Sequence, residues 1–476
     1  MGMKRIYLLF TFLCLAVSCG KDPEEGGENT PSAPSDISFD TVSIHADASG
    51  GEFAVEVSSP GRPDASTDAA WISFTDGIYN KESYKITYTI TVQGNYLTEE
   101  RTGTVTFSSG SLQKDLQIIQ GGVKPFDKSG IAKAPVNPDA TASAKKLYSF
   151  LLENYGVKTL SGVQSNKSYT NDYVDAVYSA TGAHPALAGY DFIFLQYSPT
   201  PASWSWKIDY TDLSAQKEHW NAGGIISYMW HWNVPASEEI YRNNDLDTEN
   251  GWAFYSDKTN FDIREGLKDG TWQNEFILSS IDHIAITLKM LQEEGIPVLF
   301  RPLHEAAGNY TRYNPAGGAW FWWGTKGPEY CKKLWNLLRE RLEGYHGLNN
   351  LIWVWTIDCV TGFEQSAMEW YPGDDKVDIV GFDVYEDNTG VKEAQFEFLR
   401  SITGGKKILT VSECGNIPSP SENLAAGKPW SWFMVWPTSN NDVITIDGYP
   451  LNTRQYWKSL MSDSSIFTRE NMPSLK

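Results

Sequence analysis

Two glutamates stand at the ends of apolar segments of the chain, where carboxyl groups could take part in acid/base or nucleophilic chemistry. Glu305 ends the segment Arg301-Pro-Leu-His304-Glu305, and Glu413 ends the segment 406–413. Two carboxyl groups that converge on one bond can divide the work, because one protonates a leaving oxygen while the other meets a developing positive carbon. Cleavage of a glycosidic bond needs this combination, so it is the chemistry that the pair would support.

Three further polar side chains stand at the ends of similar segments. Asp383 and Tyr385 close the segment 377–385, and His231 lies in the aromatic end of the segment 225–232. The acid of a carboxyl pair must stay protonated near neutral pH, so burial or the charge of its partner has to raise its pKa. The nucleophile has to stay ionised, and a hydrogen bond from the Tyr385 hydroxyl would favour that form.

The histidine beside the first glutamate has candidate partners of its own. His304 directly precedes Glu305, where it could orient the site or touch a substrate. Arg301 and Asp383 carry charges that could hold the His304 ring in place. We therefore expect Arg301 and Asp383 to act as supporting residues of the site.

Helical and strand-like segments alternate beyond Pro125. Apolar residues at helical spacing predict helices at 139–155, 275–294 and 329–343. Short apolar runs predict eight strands, at 159–163, 186–191, 223–229, 297–305, 351–356, 377–385, 406–413 and 432–436. This alternation predicts an α/β fold, a (β/α)8 TIM barrel over residues 125–476, with the polar strand ends gathered at one mouth. Pro302 conflicts with this pattern, because it lies inside the fourth predicted strand and cannot donate to a sheet.

The chain before the predicted barrel divides into three parts. Residues 1–19 combine a basic start, a short apolar stretch and Ala16-Val17-Ser18-Cys19, which resembles a bacterial lipobox whose cysteine is acylated. Residues 20–35 form a Gly/Pro/Glu/Ser-rich flexible linker, and its acidic start resembles the export signal of surface lipoproteins in Bacteroides-type bacteria. We therefore expect lipidation at Cys19 and a surface-exposed protein anchored to the outer membrane of the cell envelope. Residues 36–122 alternate apolar and polar side chains, which predicts about seven antiparallel strands in an immunoglobulin-like sandwich.

Composition and spacing exclude several other classes of function. A net charge of −20 with no basic stripe argues against a nucleic-acid partner. Cys331, Cys359 and Cys414 lack zinc-ligand spacing and are expected to be buried, reduced thiols. His304-Glu305 is half of an H-E-x-x-H motif, but position 308 is Gly, and a G-x-S-x-G elbow is missing from the sequence. We expect neither a metal nor a cofactor, and a monomeric protein.

At the residues singled out above, the sequence resembles glycoside hydrolase family 26 over roughly residues 140–460. The segments that carry the similarity are Arg301-Pro-Leu-His-Glu305, Ala319-Trp-Phe-Trp-Trp-Gly324, Trp353-Val-Trp355, Tyr371-Pro-Gly-Asp374, Val377-Asp-Ile-Val-Gly-Phe-Asp-Val-Tyr385 and Ser412-Glu413. The resemblance implies a retaining β-mannanase of the mannan endo-1,4-β-mannosidase type, with Glu305 as acid/base and Glu413 as nucleophile. It also implies substrate contacts for His231, His304, Trp320, Tyr385 and Trp436.

Two other segments qualify or extend this resemblance. The chain departs from the simplest family pattern at 308–318, which we interpret as an inserted loop that borders the cleft. The segment 36–122 resembles a BACON domain in Ala70-Trp71-Ile72, in the strand 101–107 and in Ile118-Ile-Gln120. That second resemblance implies a spacer or a carbohydrate-binding module.

Three alternatives to an endo-acting mannanase remain open from the sequence. The enzyme could act on mixed-linkage glucan or β-1,3-xylan, as related enzymes of the family do. It could cut mannan from a chain end and release mannobiose, for which the loop at 310–318 would block the cleft. It could also be a non-catalytic glycan-binding protein at the cell surface, against which the presence of both Glu305 and Glu413 argues.

Overall fold

The structure is a computed structural model that describes residues 32–95, 97–165, 170–203, 208–308, 319–358, 367–436 and 450–476. The expected signal segment with Cys19, the inserted loop from residue 309 to 318, and Cys359 lie outside the described residues. Within the described residues, no helix has the length and apolar character needed to cross a membrane.

Residues 38–120 form a sandwich of two four-stranded sheets, as the alternating pattern predicts. Its strands are β1 (Ser38–Phe39), β2 (Ser43–Ala46), β3 (Gly51–Ser58), β4 (Asp64–Ser66), β5 (Ile72–Asp76), β6 (Lys85–Val92), β7 (Arg101–Ser109) and β8 (Leu112–Gln120). The sheet orders are β1-β3-β6-β5 and β2-β8-β7-β4. Alternate residues of β6, from Ile86 to Val92, point into a core that also contains Phe107 and Ile118. One pair differs from the antiparallel expectation, because β2 runs parallel to β8.

The second part of the chain closes into the predicted barrel of eight parallel strands. These are β10 (Gly162–Gln164), β11 (Leu187–Asp191), β12 (Ile225–Met229), β15 (Val298–Arg301), β16 (Leu351–Asp358), β17 (Ile379–Val384), β18 (Ile408–Cys414) and β19 (Phe433–Val435). The pairing of Val163 with Val435 joins the first strand to the last. Parallel strands covered on both faces read as continuous apolar runs, which is why these segments stand out in the sequence.

The observed bounds of the barrel strands differ from the predicted ones by up to two residues at each end, and two strands differ by more. The run 159–163 is divided: β9 (Thr159–Leu160) pairs with β20 (Ile466–Phe467), and only the following residues enter the barrel. The fourth strand ends at Arg301 rather than at residue 305. Pro302 has no N–H to continue the ladder, and the chain then turns, with positive φ at Leu303 and Glu305. The conflict noted for Pro302 is thus resolved by an earlier strand end.

Helices and short strands connect the barrel strands. The helices are α1 (Ala142–Asn154), α2 (Asp172–Thr181), α3 (Ser214–Asn221), α4 (Glu238–Asn243), α5 (Ile263–Gly266), α6 (Trp272–Glu293), α7 (Pro328–Arg339), α8 (Ala367–Trp370), α9 (Glu393–Thr403), α10 (Pro420–Ala425) and α11 (Arg454–Met461). A π-helical turn, Glu340–Tyr345, follows α7. The strands β13 (Val234–Pro235) and β14 (Trp252–Ala253) form a small ribbon beside the barrel mouth. Thr141 and Thr271 cap α1 and α6 by accepting hydrogen bonds from backbone N–H groups.

The sandwich core supplies a first test of this packing. Ile118 is fully buried, so Ile118→Ala should destabilise the sandwich by about 2–5 kcal/mol, through lost apolar burial and the cavity left behind. Hydrogen exchange of the β7–β8 amides in the full chain measures the change. Ile78, which is 94% exposed, provides the control, and Ile78→Ala should leave the exchange unchanged. Equal protection in both variants would contradict the burial of Ile118.

Candidate active site

The carboxyl ends of the barrel strands bring the candidate polar residues together. Arg301 ends β15, Asp383 lies in β17 and Glu413 lies in β18. Glu305 follows the turn after Pro302, where its backbone N–H donates to the carbonyl of Thr356 in β16. The barrel thus fixes each of these side chains to a rigid element at the same mouth.

The two glutamates lie as close together as a shared substrate bond requires. One carboxyl oxygen from each of Glu305, Asp383 and Glu413 lies within 4.8 Å of the other two. A spacing of about 5–5.5 Å between carboxyl groups is typical of glycosidases that retain configuration, and about 6.5–9.5 Å of those that invert it. The distance therefore favours a retaining arrangement for Glu305 and Glu413.

A buried guanidinium joins two of the three carboxylates. Arg301 donates to Asp383 over 3.1 Å through one nitrogen and to Oε1 of Glu413 through another. The second oxygen of Glu413 accepts a 2.7 Å hydrogen bond from the Tyr385 hydroxyl, as the sequence predicted. Burial and the nearby carboxylates raise the pKa of Tyr385 well above its usual value, so the phenol stays a donor. Glu413 is therefore held by two donors that favour its charged form.

Glu305 has the opposite environment. Burial raises the pKa of its carboxyl group well above the usual value, and the charges of Asp383 and Glu413 raise it further. Burial and Glu413 also raise the pKa of Asp383, to about 7, although Arg301 and a 2.8 Å hydrogen bond from Ser412 oppose this. The site thus keeps one glutamate protonated beside one that is paired with a permanent cation.

The predicted support of His304 by Arg301 and Asp383 is wrong. Arg301 and Asp383 turn instead toward Glu413 and Ser412. The His304 ring lies against His231, with 3.3 Å between their Nε2 atoms, and its carbonyl accepts a 3.0 Å hydrogen bond from Trp323. Because His304 contacts His231, the guanidinium of Arg301 can bind Asp383 and Glu413 instead.

Aromatic side chains surround the two histidines. The ring of Trp436 lies 5.4 Å from the ring of His231, and Phe321 lies 5.1 Å from His304. Trp320 packs on Gly308, where a Cβ atom would come within 2.5 Å of the indole, so only glycine fits. Tyr385 exposes 39% of its surface while its hydroxyl donates a hydrogen bond to Glu413. All five residues expected to touch a substrate thus border the same mouth.

Three residues that the sequence did not single out also belong to this surrounding. Asp191 ends β11 and binds His231, and Asp358 ends β16 close enough to raise the pKa of Glu305. Tyr255 follows β14. Burial raises the pKa of Tyr255, and the charge of Glu305 raises it further. Asp358 stands two residues beyond the predicted fifth strand, which is the one signal that could have identified it.

The three carboxyl groups are close enough to offer ligand atoms to a metal ion. Arg301 already supplies a positive charge to Asp383 and Glu413, and its side chain is 3% exposed. The donor set therefore forms a cluster around a guanidinium, and the proton chemistry of the site follows from side chains alone.

A closed (β/α)8 barrel with two carboxyl groups converging from the ends of its fourth and seventh strands has the architecture of a glycoside hydrolase. Comparison with known proteins identifies one family of glycoside hydrolases. The model of glycosyl hydrolase family 26 matches residues 136–448, and the chain belongs to this family. The BACON model matches residues 61–121.

Two relatives named as mannan endo-1,4-β-mannosidases align with about two thirds of the chain. A mannan endo-1,4-β-mannosidase of Thermothelomyces thermophilus is 39% identical over 314 residues, which are 66% of this chain and 58% of the relative. Mannan endo-1,4-β-mannosidase B of Piromyces sp is 32% identical and aligns with 71% of this chain and 53% of the relative. The chain thus spans less than two thirds of the length of either relative.

Two solved structures share the barrel. A β-mannanase from a symbiotic protist of the termite Reticulitermes speratus, complexed with a gluco-manno-oligosaccharide, is 36% identical with a TM-score of 0.60, covering 72% of this chain and 99% of that one. The family 26 domain of an endo-β-mannanase/endo-β-glucanase from Prevotella bryantii is 32% identical with a TM-score of 0.61, covering 72% of this chain and 99% of that one.

The buried guanidinium generates a prediction about stability. Arg301→Met should lower the free energy of unfolding at pH 7 by about 3–5 kcal/mol, because it leaves two buried carboxylates without their cation. Urea unfolding followed by tryptophan fluorescence measures the loss. Arg242→Met is the control, since Arg242 is 49% exposed and its ion pairs with Glu238 and Glu275 lie at the surface, where we expect an unchanged free energy. Equal unfolding curves for both variants would show that Arg301 has no such role.

Proposed function

We propose that this chain is a retaining endo-β-1,4-mannanase that hydrolyses mannan, galactomannan or glucomannan by double displacement. The observation that carries the proposal is the pair Glu305 and Glu413, whose carboxyl oxygens lie within 4.8 Å of each other in opposite electrostatic environments. Membership of glycosyl hydrolase family 26 supports the reaction class, and the names of the relatives as mannan endo-1,4-β-mannosidases support the substrate.

We propose one step for each carboxyl group. Glu413, ionised and held by Arg301 and Tyr385, attacks the anomeric carbon and forms a glycosyl ester. Glu305, protonated by virtue of its raised pKa, gives its proton to the departing oxygen as the glycosidic bond breaks. Glu305 then removes a proton from water, which attacks the same carbon and releases Glu413. Two inversions give net retention, and the proton returns to Glu305.

The aromatic surroundings of the carboxyl pair suit a sugar ring. Pyranose rings present C–H faces that pack on aromatic side chains, and Trp320, Trp436 and Tyr385 line the mouth. We propose that these three, together with His231 and His304, contact the sugars on either side of the cleaved bond. Attack at internal bonds of the polysaccharide is supported by relatives that are named as endo-acting mannosidases.

Substitution of each glutamate separates the two roles. Glu305→Ala and Glu413→Ala should each lower turnover on galactomannan by several orders of magnitude. On an aryl β-mannobioside with an activated leaving group, only Glu305→Ala should retain rapid formation of the glycosyl-enzyme, because that step no longer needs an acid. Azide should then rescue Glu305→Ala with a β-glycosyl azide and Glu413→Ala with an α-glycosyl azide.

Glu329→Gln is the matched control, since Glu329 lies at the surface on α7 and pairs with Lys333 there. It should hydrolyse both substrates like the wild type. Near-normal turnover of galactomannan by either alanine variant would remove that glutamate from its role, and exchanged azide products would reverse the two roles.

The raised pKa of Glu305 predicts a shift in pH dependence. Asp383 raises the pKa of Glu305 through its charge and their hydrogen bond, so Asp383→Asn should lower that pKa. Because the acid form of Glu305 is needed and is lost as pH rises through its pKa, the alkaline limb of kcat/KM should move to lower pH. Asp282→Asn on the outer face of α6 should leave the limb in place. A limb that stays or moves to higher pH in Asp383→Asn contradicts the account.

The size of the first products tests the endo mode. Galactomannan sampled at a few per cent conversion should give a ladder of oligosaccharides, because an endo-acting enzyme cuts at internal bonds. Mannobiose as the single early product would replace the endo proposal with chain-end cleavage. Faster hydrolysis of lichenan or β-1,3-xylan than of mannan would contradict mannan as the proposed substrate.

We also propose that lipidation of Cys19 anchors the enzyme to the outer membrane and that the sandwich is a spacer. The lipobox-like segment and the linker at 20–35 support this proposal. Cys19→Ser should move the protein from the membrane fraction to the soluble fraction of the expressing cell. Cys14→Ser, within the same signal segment, should leave it in the membrane fraction. An anchor at Cys19 would be contradicted if both variants left the membrane fraction or if both stayed in it.

A further inference from the structure

A buried carboxylate stands behind the two histidines of the site. Asp191 at the end of β11 is fully buried, and its Oδ1 accepts a 2.9 Å hydrogen bond from the backbone N–H of His231. Its Oδ2 lies 2.5 Å from Nδ1 of the same histidine. The far side of the ring, Nε2 of His231, lies 3.3 Å from Nε2 of His304. Three buried side chains therefore form one line of polar contacts.

The carboxylate determines where the first proton lies. An ionised carboxylate only accepts hydrogen bonds, so Nδ1 of His231 must carry the proton between them. In the neutral imidazole, Nε2 of His231 is then an acceptor. The contact with His304 is a hydrogen bond only if Nε2 of His304 carries its proton and donates it.

The environment of His304 agrees with the same arrangement. Burial lowers the pKa of His304 well below its usual value, and His231 and Arg301 lower it further, so the ring is neutral. Its Nδ1 is buried and has no hydrogen-bond partner among the described residues. An unpaired buried N–H is rarer in proteins than an unpaired acceptor, which places the His304 proton on Nε2. Both ends of the line thus require the same two tautomers.

We propose that Asp191 is a positioning residue that fixes the proton placement on His231 and His304, and through it the orientation of both rings beside the carboxyl pair. This deepens the proposed function, on which it rests, because both histidines are proposed to contact the sugar. A sugar hydroxyl that inserts between the two Nε2 atoms replaces their contact and meets a donor at His304 and an acceptor at His231. Asp191 sets that polarity without touching the substrate itself.

The orientation also reaches the proposed acid. His304 directly precedes Glu305, which holds a positive φ, and the carbonyl of His304 is fixed by Trp323. The His231 contact fixes the ring of His304, so side chain and backbone of this residue are both held at the turn that presents Glu305. A ring with the wrong tautomer would lose its contact and loosen this turn.

Asp191→Asn tests the proposal with little change of shape. The asparagine oxygen can still accept from the backbone N–H of His231, but its NH2 group faces Nδ1 and forces the proton to Nε2. Two N–H groups then face each other between the histidines. We expect kcat/KM on galactomannan to fall about tenfold or more while Tm stays close to that of the wild type. Asp282→Asn removes the carboxylate from the unrelated pair with His346 and should leave kcat/KM unchanged.

Ring-nitrogen NMR provides a readout that a merely structural role of Asp191 would not move. The chain has 7 histidines, and ¹⁵N-labelled rings, assigned with His231→Gln and His304→Gln, report the protonated nitrogen of each. In the resting wild type we expect the proton on Nδ1 of His231 and on Nε2 of His304. In Asp191→Asn we expect the His231 proton on Nε2.

The wild-type spectrum decides the proposal even if the variant fails to fold. A wild-type His231 that is protonated on Nε2 overturns it, as does an Asp191→Asn variant with unchanged tautomers or with wild-type kcat/KM. Failure of the proposed function is separate, because it shows in the wild type as a lack of galactomannan turnover while the tautomers can still be read.

Discussion

The site depends on one buried guanidinium among three carboxyl groups. Negative charges this close in a largely buried cluster repel each other strongly, which disfavours the form in which all three are ionised. Arg301 compensates Asp383 and Glu413 by direct contact, whereas Glu305 feels their charges without a cation of its own. The proton therefore goes to Glu305. Two chemically identical side chains are thus distinguished by their surroundings: Arg301 and Tyr385 hold Glu413 as the nucleophile, whereas burial and the neighbouring carboxylates favour Glu305 as the acid.

The barrel provides what this arrangement needs, which is fixed positions for groups that would otherwise repel. Arg301, Asp383 and Glu413 come from three different strands, and the register of those strands aligns Asp383 with Glu413. A shift in register marks this place between β17 and β18, where the chain re-aims side chains at the mouth. Glu305 is set differently, on a turn with positive φ after Pro302. This strained turn places Glu305, the proposed acid, opposite Glu413, the proposed nucleophile.

Much of the fold could be predicted from the sequence because parallel barrel strands are continuously apolar and end in polar residues. All eight predicted barrel strands exist, and the candidate pair Glu305 and Glu413 does converge. The errors have physical reasons. The division of residues 159–163 depends on pairing with Ile466–Phe467, more than 300 residues away, which local periodicity cannot show. The partners of Arg301 were misjudged because adjacency in sequence suggested His304, while the barrel places Asp383 and Glu413 nearer. Asp191 was missed although it ends the second predicted strand, because a single acid at a strand end is often an ordinary solvated residue and its partner is 40 residues further on.

The central claim is that Glu413 becomes covalently bonded to the sugar during turnover. A 2-deoxy-2-fluoro-β-mannobiosyl fluoride forms the glycosyl ester quickly but hydrolyses it slowly, because the fluorine at C2 disfavours the positive transition state while fluoride is a good leaving group. Mass spectrometry of the trapped and digested protein reports which peptide carries the sugar. We predict one added glycosyl group, located on Glu413. An unlabelled enzyme that still consumes the reagent, or a label on any other residue, would contradict it.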